Sequence, residues 1–291
     1  MTIKKKIIKL LEKKAKELRN LTLDMCEIAR TGHVTSSFSC VEILTTLYYG
    51  GVLRYDSKNP GWECRDRFIL SKGQASPIYY VTLADCGFYP KTWLNTFCKK
   101  DGKFGVHLQS NVPGVEITSG SLGHGLGISA GIAYASKMDR VVKDHFLTFV
   151  LLGDGELHEG SVWESVMFAG HHRLNNLIAI VDRNGLCATD FTENCISLNP
   201  LKNKFESFGW DVQIVDGHSI RELLAAFKDV RAEKRNKPYV IIAETIKGKG
   251  SPCIENEILW HARAPVDDNV RIIRNEINNQ NFNCRIYKDD N

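Results

Sequence analysis

Asp154 and Asn184 are the two side chains of this 291-residue sequence whose chemistry and setting stand out first. Asp154 sits between Gly153 and Gly155, directly after the apolar run 146–152, and Asn184 ends Asp182-Arg183-Asn184, directly after a second apolar run, 176–181. Runs this short, rich in β-branched and aromatic residues and closed by turn residues, predict buried strands. Between them Val162, Trp163, Val166 and Met167 recur at helical spacing, so the order is strand, turn, helix, strand. Such a unit favours a right-handed parallel crossover, which brings both turns to one edge of a sheet. The glycines let backbone approach a ligand closely, and the start of the following helix offers amides to an anion. A hard cation would find a carboxylate and an amide oxygen there; magnesium suits best, taking its remaining ligands from phosphate and water. A Gly-Asp-Gly turn alone is an ordinary connection. Its pairing with Asn184 is what points to a magnesium-bridged diphosphate.

Gly153-Asp154-Gly155 followed by Asn184 resembles the thiamine diphosphate fingerprint. The fuller stretches Gly153 to Gly160 and Leu174 to Ile180, with Arg65-Asp66-Arg67-Phe68-Ile69-Leu70-Ser71-Lys72-Gly73 and Pro113-Gly114-Val115-Glu116, resemble the amino-terminal half of a transketolase, over about Leu18 to Pro265. The resemblance implies magnesium, replaceable by calcium or manganese, on Asp154, Asn184 and the Leu186 carbonyl. It implies thiamine diphosphate bound by Gln74, Gly120, Leu122, Gly153, Asp154, Gly155, Glu159, Asn184 and His261, with Gly155 giving its amide to the diphosphate. His33, His107 and His261 are implied to position sugar hydroxyls or move protons, and Glu159 and Glu164 to be interface carboxylates linking neighbouring active sites. Two positions depart from the family pattern. Gln74 stands where a histidine serves the cofactor, and an amide donates a hydrogen bond but does not shuttle a proton near neutrality. His124 stands where glutamine is usual.

The elements that must position these groups read as alternating strands and helices, which predicts one doubly wound α/β fold with a largely parallel sheet and helices on both faces. Ile3, Ile7, Ile8, Leu11, Ala15, Leu18 and Leu21 predict an amphipathic helix over about 1–30. Helices are expected at 40–49, 78–85, 201–208 and 220–231, the last capped by Ser219, and strands at 210–215 and 239–244. Gly123, Gly127, Gly131 and Ala135 form a small-residue stripe that implies close helix packing, within the chain or against another. The segment 185–198 is expected to cover the site. The loop Thr245 to Gly250 reads either as a mobile lid or as solvated backbone. From 267 to 291 a polar tail with some helical character is expected, its final few residues fraying.

The formal charge of +4 has a local origin: residues 1–19 carry +6 and everything after them about −2. That argues against a nucleic-acid surface spread over the domain and favours a solvated helix face at the start. No apolar run is long enough for a membrane helix and no signal-type block follows the basic start. Nine cysteines without a Cys-x-x-Cys pair read as reduced, mostly buried thiols of a cytoplasmic protein.

Complete transketolases are roughly twice as long and add a domain that binds the aminopyrimidine, then a third. The resemblance therefore implies the amino-terminal subunit of a split transketolase, working with a carboxy-terminal subunit, two copies of each. The implied reaction moves a two-carbon ketol unit from a ketose, or ketose phosphate, to an aldose through a thiamine-bound enamine. Two other readings stay open: a subunit of a different two-chain thiamine diphosphate enzyme, which would keep the metal turn without the flanking motifs, and a non-catalytic binding or regulatory relative.

Overall fold

The computed structural model describes residues 3–139, 146–228, 230–231 and 235–279. In chain order the α-helices are α1 (Ile3–Ala29), α2 (Val34–Phe38), α3 (Val41–Tyr49), α4 (Ser76–Asp85), α5 (Gly125–Met138), α6 (Gly160–His171), α7 (Thr192–Cys195), α8 (Leu201–Ser207), α9 (Ile220–Phe227) and α10 (Asp268–Asn279). The strands are β1 (Arg67–Leu70), β2 (Thr148–Gly153), β3 (Leu177–Arg183), β4 (Asp211–Asp216) and β5 (Tyr239–Glu244). They form one sheet in the order β1-β2-β3-β5-β4, with every neighbouring pair parallel. The doubly wound, parallel α/β expectation holds.

Strand side chains alternate between the two faces, and that alternation builds two cores. Phe68, Phe149, Leu151, Ile178, Ile180 and Ile241 point toward the layer made by α1, α3, α4 and α9. Ile69, Val150, Leu152, Ala179, Val181 and Ile242 point toward α5, α6 and α8. A strand buried on both faces reads as a continuous apolar run for this reason. Each fully buried Leu, Ile or Phe contributes about 1.5–3 kcal/mol of burial free energy, so both layers are needed to hold the sheet ends in register.

Several expectations change. The helical character expected after 267 is realised as helix α10, which is packed rather than free: Val270, Ile273 and Ile277 pack with Leu23, Cys26, Val34 and Phe38. The i, i+3, i+7 spacing of those three is the apolar stripe that a polar average hides; residues 280–291 lie outside the described residues. Of the eight described cysteines, all free, only Cys26 and Cys40 are buried. "Mostly buried" is corrected: Cys64, Cys86 and Cys187 are half-buried and Cys98, Cys195 and Cys253 exposed, on loops, helix ends and the short α7 at the surface; Cys284 lies outside the described residues. The small-residue stripe divides in two. Gly123 is buried against Glu159 and Ser161, whereas Gly127, Gly131 and Ala135 are exposed. No described helix is long and apolar enough to cross a membrane. The Ser219 cap is present, its hydroxyl accepting from the Glu222 amide at 3.3 Å.

One close approach holds the α6 layer together. A Cβ on Gly170 would lie 1.8 Å from the Phe208 carbonyl oxygen, so the helix and the turn leading into β4 meet backbone to backbone. Gly170→Ala is expected to lower the free energy of unfolding by about 1–3 kcal/mol through overpacking. Urea melts of the two proteins test this; an unmoved midpoint would mean that the contact separates freely.

Candidate active site

Every strand of the sheet delivers a polar residue to the same edge just beyond its carboxyl end: Lys72 after β1, Asp154 after β2, Asn184 after β3, His218 after β4 and Lys247 after β5. In open parallel sheets this is the edge where ligands bind. A cavity of about 320 Å³ opens there, lined by Asp154, Asn184, Leu186, Gln74, Lys247 and His261 among others.

The crossover brings Asp154 and Asn184 together. Asp154 Oδ2 accepts from the Gly185 amide at 2.6 Å and Oδ1 from the Gly155 amide at 2.9 Å. The Gly155 amide, expected to face a diphosphate, is thus directed at Asp154. Asp154 is only 1% exposed, and burial, opposed by the Gly185 amide, pushes its carboxyl up to about 6. Burial of this kind disfavours the charged form of a carboxyl group. Asn184 Oδ1 accepts from the Leu186 amide at 3.2 Å. The Leu186 carbonyl accepts from Lys247 Nζ at 3.3 Å. A carboxylate, a side-chain amide and a backbone carbonyl are hard oxygen donors with lone pairs to spare, so the three fit a magnesium ion.

Two lysines that the motifs did not single out complete the charge balance. Lys72 is buried and ion-paired with Asp182, and its Nζ also donates to the Ser36 carbonyl at 3.0 Å and Ser39 Oγ at 3.2 Å. Lys247, 3% exposed, bonds the Leu186 and Cys187 carbonyls, both at 3.3 Å, and lies 2.7 Å from His261 Nδ1. Burial, reinforced by the Lys72 charge, brings Lys247 down to about 8. The loop 245–250 is therefore neither a lid nor solvated: the Gly248 amide donates to the Thr35 carbonyl at 3.0 Å, and Arg19 Nε to the Lys249 carbonyl at 2.9 Å. A Lys-Gly-Lys-Gly string reads as solvent-facing, whereas the packing of α1 and α2 buries it.

The three expected histidines do gather. The His33 ring centroid is 6.0 Å from that of His107 and 5.9 Å from that of His261. Burial, then His107 and Lys247, lowers the His33 pKa; burial, then Lys247 and His33, lowers that of His261 to about 4. Both rings are neutral at pH 7. His33 Nδ1 is buried without a hydrogen-bond partner among the described residues, an atom left for something not part of this chain. Gly120 and His107 meet closely. At φ +139° a side chain on Gly120 would be strained, and its Cβ would lie 2.9 Å from the His107 ring; His107 Nδ1 is 3.2 Å from the Gly73 carbonyl. Leu122 and Gln74 line the cavity. His124 does not. It is exposed at the start of α5, its Nδ1 3.1 Å from the Leu122 carbonyl.

Glu156, another residue the motifs did not single out, is 2% exposed; it accepts from the Gly123 amide at 2.9 Å and the Gly153 amide at 3.2 Å, and from Ser71 Oγ. It ties the loop bearing Gly120 and Leu122 to the turn bearing Asp154. Its position inside Gly153 to Gly160 was the available signal. Glu159 and Glu164 lie outside the cavity: Glu159 precedes α6, Glu164 is on it, and both are exposed.

Similarity to known proteins agrees with this geometry. The family described as "Transketolase, thiamine diphosphate binding domain" matches residues 11–288. An apulose-4-phosphate transketolase subunit from Actinobacillus succinogenes is 38% identical over 272 residues, 93% of this chain and 96% of that protein. A 6-deoxy-6-sulfo-D-fructose transketolase subunit from Clostridium sp. is 37% identical, over 86% of this chain and 90% of that one. The crystal structure of transketolase from Campylobacter jejuni superimposes with a TM-score of 0.86 at 30% identity, covering 96% of this chain and 43% of its own. The chain thus spans less than half of that transketolase and nearly all of the two relatives named as subunits. From its matching domain and these relatives, the chain belongs to the transketolase family, as a bearer of that family's thiamine diphosphate binding domain.

Proposed function

We propose that the chain is the diphosphate-binding subunit of a two-chain, cytoplasmic transketolase, which transfers a two-carbon ketol unit between sugars or sugar phosphates once joined by a partner subunit. The observation that carries this reading is a buried carboxylate, Asp154, raised toward neutrality beside Asn184, the Leu186 carbonyl and Lys247 in one cavity. On this reading Asp154, Asn184 and Leu186 hold magnesium, and the Lys247 ammonium faces the diphosphate. Thiamine diphosphate, when bound, supplies the carbon centre that takes up the two-carbon unit and releases it to the acceptor.

The chain's own residues orient and manage protons. Leu122 forms an apolar wall, and Gly120 brings backbone close while holding the His107 ring in place. His33 and His261, neutral at pH 7, accept a proton from a sugar hydroxyl or donate a hydrogen bond to it without a prior charge change. Gln74 orients by hydrogen bond alone, so proton movement falls to the histidines. Ile128, Met167 and Phe168 are exposed on α5 and α6, near Gly131, Ala135 and Glu164; such an apolar surface supports assembly into a heterotetramer of two subunits of each kind, with Glu159 and Glu164 at the junction. Two relatives are named for apulose-4-phosphate and for 6-deoxy-6-sulfo-D-fructose, which supports ketoses with a charged far end as the substrate class.

Three measurements test the reading. Asp154→Ala is expected to abolish magnesium-dependent thiamine diphosphate binding, read by calorimetry, while circular dichroism stays that of the folded chain; unchanged affinity removes Asp154 from the metal site. Lys247→Met is expected to weaken cofactor binding about tenfold at pH 7, the effect of losing one charge-assisted hydrogen bond. In the unaltered chain Lys247 loses its proton as pH rises through about 8, so affinity falls above that pH, and in Lys247→Met that fall is absent. Finally, co-expression with the product of the neighbouring gene should give two-carbon transfer from several ketoses that neither chain catalyses alone. A pair that binds the cofactor yet turns over no ketose would favour a non-catalytic relative.

A further inference from the structure

Lys247 lines the cavity, and behind its loop, 245–249, stands a chain of polar groups from three distant elements. Arg19 of α1, its side chain fully buried, donates to Glu42 of α3 through Nη1 at 2.6 Å and Nη2 at 2.8 Å. Glu42 Oε2 lies 3.0 Å from Nδ1 of His218, which follows β4 and whose side chain is 8% exposed. The other ring nitrogen, Nε2, accepts from the Ile246 amide at 2.8 Å. Burial works against the Glu42 charge, but the Arg19 guanidinium overrides it and holds the carboxyl down at about 2.

The chemistry of this chain of contacts permits one arrangement. An ionised carboxylate only accepts, so Nδ1 carries the proton and Nε2 is left with a lone pair. A ring protonated on both nitrogens would set N–H against the N–H of Ile246. We propose that His218 is a positioning residue for the diphosphate pocket: oriented by Glu42 and Arg19, it fixes the Ile246 amide and thereby aims Lys247 at the cavity. This rests on the cofactor reading above and adds to it a residue outside the cavity. Arg19 holds the same loop at its other end through the Lys249 carbonyl, so one buried guanidinium serves both anchor points.

The test compares His218→Gln with His218→Asn. Glutamine carries an acceptor oxygen out to about where Nε2 lies; asparagine reaches only the Nδ1 position, keeping the bond to Glu42 and losing the one to Ile246. His218→Leu serves as a control for bulk. Thiamine diphosphate binding with MgCl2 is measured by calorimetry, and deuterium uptake at 245–250 is measured on the cofactor-free chain. His218→Asn and His218→Leu should bind about tenfold more weakly, as for loss of one hydrogen bond, and exchange faster at 245–250 but not across the sheet. His218→Gln should restore both. Equal behaviour of Asn and Gln, unfolding of both, or wild-type binding by His218→Asn overturns the inference, because the position would then serve only the domain as a whole. With binding measured on the chain co-expressed with its partner subunit, absence of cofactor binding by the unaltered pair would instead defeat the cofactor reading, while the exchange comparison would still decide whether His218 holds the loop.

Discussion

Charge buried at the carboxyl ends of a parallel sheet is the constraint to which the rest of this molecule answers. Asp154, just past β2, and Asp182, on the neighbouring β3, lie nearly out of reach of water, where an ionised group is costly unless paired. Asp182 is satisfied internally by Lys72, Ser39 and Thr245. Among the described residues Asp154 has two backbone amides as its hydrogen-bond donors, and burial raises its pKa against their effect. One acid is thus neutralised by Lys72, whereas its neighbour is held by backbone amides alone among the described hydrogen bonds.

The surrounding elements make that imbalance sustainable. Both faces of the sheet are covered, so strand ends hold their register, and the loops beyond them are tied to one another rather than to solvent. Glu156 joins the 120–123 loop to the Asp154 turn, Lys247 joins the 245–250 loop to the 186–187 backbone, and Arg19 with Glu42 and His218 braces the same loop from the opposite side. The neutral histidines follow from the same cause: burial beside Lys247 opposes a second positive charge, so His33 and His261 stay uncharged. Pre-orienting such groups before a ligand arrives lowers the cost of binding it.

The two departures from the family pattern differ in weight once placed. Gln74 lines the cavity, so the change from histidine alters what meets the ligand. His124 lies outside, at the exposed entry to α5, and its exchange leaves the cavity wall to Leu122.

Elements with a strong local signature were legible from sequence. The apolar runs before Asp154 and Asn184, the stripe of α1 and the Ser219 cap all depend on residues a few positions apart, and the parallel crossover follows from their order. The meeting of Asp154 with Asn184 was legible for that reason. Lys72, Lys247 and His218 were not, because a lysine in a glycine-rich loop and a histidine after a strand carry no local mark of burial. Their roles depend on strand order, with β5 placed between β3 and β4, and on α1 and α2 closing over the 245–250 loop. The helical stripe of α10 was present in the sequence but diluted by its polar neighbours, and only its packing against α1 and α2 brought it out. Spacing along the chain determined the helices, the strands and the Asp154 turn. Which charges became neighbours was decided by contacts between residues far apart along the chain, such as Lys72 with Asp182 and His218 with Glu42, where desolvation acts and sequence proximity does not.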